Sequence, residues 1–254
     1  MTTNEAYPVS SVRTTFRIVE ALAERGPSGV TELAREVELS KSSVHKHLTT
    51  LESLNYVVKE ESTYRLGLRF LGVGNRVRER SELYHAAKPA IDNLAKTAGA
   101  VTNLMVVEHG FGVYAYRAGE TFDSDDRLPV VGGQVHLHAT AGGKAILSQL
   151  SDEEIERIID LHGLPSSTEK TITEKRALQR ELRSIQDRGL AFERGEHMPS
   201  VQCVAAPVTA PGHPVGAITV SGSIEQMSGK KLEEDLAGLV VSTSNAIEVA
   251  LLQR

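Results

Sequence analysis

Apolar residues recur at helical spacing through the first fifty-five positions, and the pattern then changes to strand-like alternation. Val12, Phe16, Val19 and Leu22 form one stripe of a helix that Ser10 and Ser11 can cap and that Gly26-Pro27 ends. Thr31 is positioned to cap a second helix with Leu33, Ala34 and Val37 inward, and Ser40 a third with Val44, Leu48, Leu51 and Leu54 inward. After Asn55, Tyr56 to Lys59 and Tyr64 to Leu66 flank a polar tip, which predicts a β-hairpin, a wing behind three helices. A helical connector follows, with Phe70, Leu71 and Val73 ahead of Arg76, Arg78 and Arg80. The pattern divides the chain into a small domain at 9–67, a connector at 68–81 and a larger domain at 82–254.

The larger domain reads as a helix over 83–98 and apolar runs at Val101–Val107 and Gly112–Tyr116. A short strand at Val135–Ala139 comes next, with helices starting near Thr140, Ser151 and Thr173. Strands near Ala191, Cys203 and Ile218 precede a last helix opened by Ser228. Antiparallel strands flanked by helices predict an α+β layout.

Charge sharpens this division. The formal net charge is -5, yet residues 1–80 carry 12 Lys and Arg against 10 Asp and Glu, and the rest carries 16 against 23. Only the first part suits a phosphate backbone. The single cysteine, Cys203, excludes an internal disulfide framework and fits a reducing compartment. The first ten residues lack an apolar signal core, and no stretch reaches eighteen uninterrupted apolar residues. The expectation is a cytoplasmic chain with no membrane partner.

A helix-turn-helix needs a small residue where two helices cross, apolar pins around it, and a second helix whose outer face reaches bases. Ala34 meets the first demand, and Leu33, Val37, Leu39 and Val44 the second, with Glu38 at a turn position that often carries glycine. The outer face of the third helix offers Lys41, Ser42, Ser43, His45, Lys46, Thr49 and Thr50, and the wing adds Arg65. These short polar and cationic groups contact phosphates and base edges, so double-stranded operator DNA is the expected partner. A single recognition helix reads few base pairs, which favours a dimer on a near-palindromic site.

Two further segments stand out, His138-Ala139-Thr140-Ala141-Gly142-Gly143-Lys144-Ala145-Ile146-Leu147 and a stretch from Asp187 to Gly222 that includes Val201 to Val208 and Val215 to Gly222. With them the whole chain, from about residue 9 to 252, resembles the isocitrate-lyase-regulator (IclR) family of transcription regulators. The resemblance implies a winged helix-turn-helix, a GAF/PAS-like effector-binding domain, dimers that pair into tetramers, and a small organic-acid effector. By position it implies a pocket of Arg127, Leu128, Val135, Ala141, Gly142, Glu193, Val201, Cys203, Thr219 and Ser221. Small residues at a helix start admit either a ligand or close packing of the helix on the sheet, and its free N–H groups favour an anion.

Enzymatic readings lack their motifs, and no cofactor is expected. Gly143-Lys144 runs into Ala145 with His138 where a phosphate loop needs glycine, and Gly72-Val73-Gly74 has Val77 in place of a third glycine. A thiol enzyme using Cys203 with His197 or His138, zinc held by His136, His138, His197 and Cys203, and a ligand-sensing module without DNA stay open as alternatives. The paired spacings of metal sites are absent, so no metal is expected.

Overall fold

The structure, a computed structural model, describes residues 8–120, 129–227 and 229–253. The chain divides into two compact units, Met1–Val77 and Arg78–Arg254.

The first unit contains α1 (Ser10–Arg25), β1 (Ser28–Gly29), α2 (Val30–Glu36), α3 (Lys41–Ser53), β2 (Val57–Glu60) and β3 (Thr63–Leu66), and α4 (Arg69–Arg78) spans its end. Ile18, Leu33, Val44 and Leu48 are fully buried in its core, each worth roughly 1.5–3 kcal/mol of transfer free energy. Ser40 caps α3 through its hydroxyl, which accepts the Ser43 N–H at 3.2 Å. Glu38 turns the chain between α2 and α3 in the left-handed region at φ 52°, which explains why glycine suits that place. The hairpin pairs Val57 with Leu66 and Glu60 with Thr63, and β1 adds a third strand on β3.

Three helix-start and packing expectations are corrected here. Neither Ser10 nor Ser11 caps α1, because Val9 precedes it and no side chain closes that end. Thr31 lies inside α2, whose start is held by Glu32 accepting the Gly29 N–H at 2.9 Å. The buried face of α1 is Ile18, Ala21 and Leu22, whereas Val12 and Phe16 are 52% and 55% exposed, and Leu54 also faces out. Spacing identified an apolar stripe on α1, but the other helices cover only its C-terminal half.

The second unit contains α5 (Glu82–Ala98), β4 (Val101–Glu108), β5 (Phe111–Ala118), β6 (Gln134–His136), α6 (Ala141–Leu147) and α7 (Asp152–His162). It continues through α8 (Lys175–Arg188), β7 (Ala191–Arg194), β8 (Val201–Val208), β9 (Gly216–Ser223) and α9 (Ala237–Leu252). The strands form one sheet in the order β6-β5-β4-β9-β8-β7, antiparallel throughout, as an α+β layout requires. One face packs on α5 and α9, burying Ile91, Leu104, Val204, Ile218 and Val240. The opposite face packs on α6 and α8, burying Met105, Ile146, Leu178 and Ala205.

The stretch Lys231–Leu252 is long and apolar enough to cross a membrane. Here it lays Leu232, Leu236, Val240, Ile247 and Leu251 into the first of these cores, after a wide π-type turn at Lys231–Leu236. Val135–Ala139 is a strand only at Gln134–His136, since Leu137–Ala139 coils into a 3-10 turn. Thr173 is not the cap of α8, which starts after Glu174. Ser228, expected to open the last helix, lies outside the described residues.

Candidate nucleic-acid interface and ligand cavity

On α3 the buried residues Val44, Leu48 and Leu51 turn the opposite face outward. Lys41, Ser42, His45, Lys46, Thr49 and Thr50 are exposed there, and Ser43 is half-buried at the capped first turn. The Thr49 and Thr50 hydroxyls donate back to the His45 and Lys46 carbonyls at 2.9 and 3.0 Å, leaving lone pairs to accept from a base or bridging water. His47, which the outer-face reading passed over, bonds Thr15 of α1 at 2.8 Å and ties α3 to its support. Arg65 sits on the wing but is paired with Glu60 at 2.7 Å, so reaching a phosphate requires it to change partner.

In the second unit, strand pairing brings distant residues into two adjacent rows across the sheet. Arg117, Asn103 and Thr219 lie side by side on β5, β4 and β9. The next row runs Val101, Ser221, Cys203 and Glu193 across β4, β9, β8 and β7. Between these rows and the start of α6 is a small cavity of about 30 Å³. Seven expected residues line it: Ala141 and Gly142 of α6, Glu193 of β7, Val201 and Cys203 of β8, and Thr219 and Ser221 of β9. Val135 does not, because it lies on the edge strand β6 and packs against Gly112 in the core. Arg127 and Leu128 lie outside the described residues.

The cavity also takes Asn103, Tyr114, Arg117 and Thr140, which sequence reasoning did not place there, and His197, which it weighed only as a thiol base or zinc ligand. Arg117 donates from Nε to the Asn103 carbonyl oxygen at 2.7 Å, and the Asn103 amide donates to the Thr219 hydroxyl at 3.0 Å. A charged side chain immediately after an apolar strand run was the available signal for Arg117.

Gly143 explains part of the small-residue run by packing alone. A Cβ there would lie 2.1 Å from the Leu137 carbonyl oxygen. Its N–H is capped by the Thr140 hydroxyl at 3.0 Å, while the first-turn N–H groups of Ala141 and Gly142 have no partner within the helix. Lys144 is 1% exposed and reaches both Glu196 carboxylate oxygens, at 2.6 and 2.7 Å.

Burial pushes the Glu193 carboxyl up to about 7, against the N–H groups of His197 and Glu196, which its Oε1 accepts and which favour the ionised form. Burial likewise pushes the Cys203 thiol up to about 12, although Ser221 donates to its sulfur at 3.1 Å. A thiol so firmly protonated at neutral pH is a poor nucleophile, which weighs against the thiol-enzyme alternative. The zinc alternative loses its cluster, because Cys203 and His197 line the cavity while His136 and His138 stack 5.7 Å apart beside His162. Among the described residues no group of three or more His, Cys, Asp or Glu is placed to hold a metal ion.

Comparison with known proteins bears on both sites. Residues 11–61 match the IclR helix-turn-helix domain, and residues 75–249 match the family described as bacterial transcriptional regulator IclR C-terminal. The transcriptional repressor IclR of Escherichia coli is 27% identical over 248 residues, covering 95% of this chain and 90% of that protein. The HTH-type transcriptional regulator KdgR of the same organism is 28% identical over 234 residues, covering 91% and 89%. Among solved structures, the Thermotoga maritima IclR superposes with a TM-score of 0.79 at 25% identity, covering 95% of this chain and 98% of that one. An IclR homolog from Microbacterium hydrocarbonoxydans, complexed with 4-hydroxybenzoate, gives 0.80 at 20% identity, covering 96% and 100%. With a DNA-binding helix-turn-helix followed by a ligand-binding domain on a curled antiparallel sheet, the chain belongs to the IclR family of transcription regulators.

Proposed function

We propose that this regulator binds its operator as a dimer through α3 and the wing, and that a small organic acid in the sheet cavity modulates the grip. The observation that carries the reading is the convergence of polar groups from four strands and α6 on one small, otherwise apolar cavity. Such a cavity is the usual form of a metabolite site. Hydroxyls of Thr219 and Ser221 and the first-turn N–H groups of α6 suit an acid that also bears a hydroxyl or carbonyl. Glu193, with its raised pKa, can donate or accept toward that second group. The 4-hydroxybenzoate complex of a related fold supports the same ligand class. Domain limits of 9–67, 68–81 and 82–254 and a cytoplasmic setting belong to this reading. Self-association is supported by the exposed apolar residues Val12 and Phe16 on α1, which a second copy would cover.

Fluorescence anisotropy on promoter DNA with a titration of small carboxylates tests the proposal. An effector should shift DNA affinity by about 5- to 150-fold, the usual range of allosteric coupling. Lys46→Ala should reduce the salt slope by about one unit with sequence preference intact, as loss of one phosphate contact demands. An unchanged slope and affinity would sink this docking of α3. Phe16→Glu should leave a monomer in sedimentation, and an unaltered dimer would place the contact elsewhere.

A further inference from the structure

We propose that Arg117 is the carboxylate-binding residue of the cavity and therefore sets its preference for anionic ligands. This rests on the reading of the cavity as an acid site and deepens it.

Arg117 is half-buried on β5, where its strand partner is Asn103. Its Nε is committed to the Asn103 carbonyl oxygen at 2.7 Å. Asn103 is 2% exposed and is itself held by Thr219, so the guanidinium plane is fixed from behind. The Nη end of the fork remains, and that end matches the two oxygens of a carboxylate. Among the described residues no carboxylate forms an ion pair with Arg117, and burial lowers its pKa from the usual guanidinium value. Its guanidinium lies 5.6 Å from the Tyr114 ring centroid.

Lys144, a second cation near this region among the described residues, is already paired with Glu196 at 2.6 Å. Arg117 thus brings to the cavity a positive charge that no carboxylate among the described residues pairs with directly, while burial holds Glu193, one row further along the sheet, toward its protonated form. A ligand anion on such a half-buried charge adds its own cost of leaving water, which the Coulomb attraction and two fork hydrogen bonds offset when the geometry is good. The placement puts the carboxylate against β5 and leaves Ser221, Cys203 and Glu193, one row further along the sheet, for a hydroxyl or carbonyl.

The test is a calorimetric comparison of acids with their uncharged amides: pyruvate against pyruvamide, and 4-hydroxybenzoate against 4-hydroxybenzamide. Wild type should prefer at least one acid over its amide by about ten- to a hundredfold, the range for a charge-assisted pair. Arg117→Gln should erase that preference, and Arg117→Lys, which keeps the charge without the fork, should retain part of it. Ser221→Ala should weaken acid and amide together. If Arg117→Gln is too unstable to purify, a reduced but not abolished preference in Arg117→Lys carries the test. Acid preference surviving intact in the Arg117 variants, with Ser221→Ala still weakened, overturns the role of Arg117 alone. Acid affinity unaffected by Ser221→Ala, Thr219→Val and the Arg117 variants overturns the cavity reading as well, as does failure of all four compounds to bind wild type at millimolar concentration.

Discussion

Replacing Lys144 with methionine keeps the length of the side chain and removes the charge that a buried carboxylate faces. Lys144 is 1% exposed, Glu196 14%, and the ammonium reaches both oxygens of Glu196, with Glu181 Oε1 3.8 Å from the same ammonium. Breaking a buried pair by removing one partner costs about 3–5 kcal/mol, because the other charge stays behind without compensation. The residual exposure of Glu196 puts this case near the lower end, about 3 kcal/mol. For a unit the size of Arg78–Arg254, each kcal/mol moves Tm by about 2–4 °C, so the variant should melt roughly 6–12 °C below wild type at pH 8.

The deficit should depend on pH. Burial already raises the Glu196 pKa in the face of Lys144, and without Lys144 it rises further. A folded-state pKa above the unfolded one means that the folded protein gains stability by holding the proton, and that this gain is lost as pH climbs through the folded value. The variant should therefore lie closer to wild type at pH 5 than at pH 8. Lys144→Met combined with Glu196→Leu should recover most of the loss, since an apolar pair of similar volume replaces a buried ion pair at little net cost. Circular-dichroism melts of wild type and the two variants at both pH values give the measurement. A Lys144→Met protein within about 2 °C of wild type at pH 8, or one with the same deficit at both pH values, would refute the reasoning.

The remaining predictions concern the cavity and the DNA-binding unit. Glu193, raised by burial from 4.5 to about 7, holds its proton in the folded state, so its contribution is full below pH 4.5 and disappears as pH rises to about 7. Glu193→Gln keeps an acceptor for the Glu196 and His197 N–H groups, and its denaturant stability should fall less than that of wild type over that window, by up to about 3 kcal/mol; parallel curves would contradict the assignment. Gly143→Ala meets backbone atoms of Leu137 at 2.1 and 2.5 Å and should destabilise by about 3 kcal/mol or more in thermal melts. Gly142→Ala meets only the Thr219 methyl at 2.8 Å and the Met105 sulfur at 3.1 Å, so it should fold but lose affinity for acids in calorimetry. Ser40→Ala removes the α3 cap and should cost about 1 kcal/mol, read as faster hydrogen exchange in the first turns of α3.

Much of the fold was legible because its signals are local. Helix periods, the Ser40 and Ser151 caps and the two-residue alternation of the wing depend on residues within one or two turns of each other. The order of helix, helix-turn-helix and hairpin follows from them, as does the placing of Ala141, Gly142, Cys203 and Ser221 through two contiguous motifs. Other features required the assembled chain. The exposed half of the α1 stripe is set by which helices stand against it, and a stripe alone does not name its neighbours. The strand order β6-β5-β4-β9-β8-β7 is a choice among long-range pairings that no local pattern encodes. That order brings Asn103 to Thr219, 116 residues apart, and seats Arg117 beside them, while the fold closes Lys144 onto Glu196 across 52 residues. Arg117 and Lys144 look alike in sequence, as single cations in apolar stretches. Only tertiary contact closes one into a buried ion pair and leaves the other on the cavity wall with no carboxylate partner among the described residues, because the partner that decides it comes from a distant strand or loop.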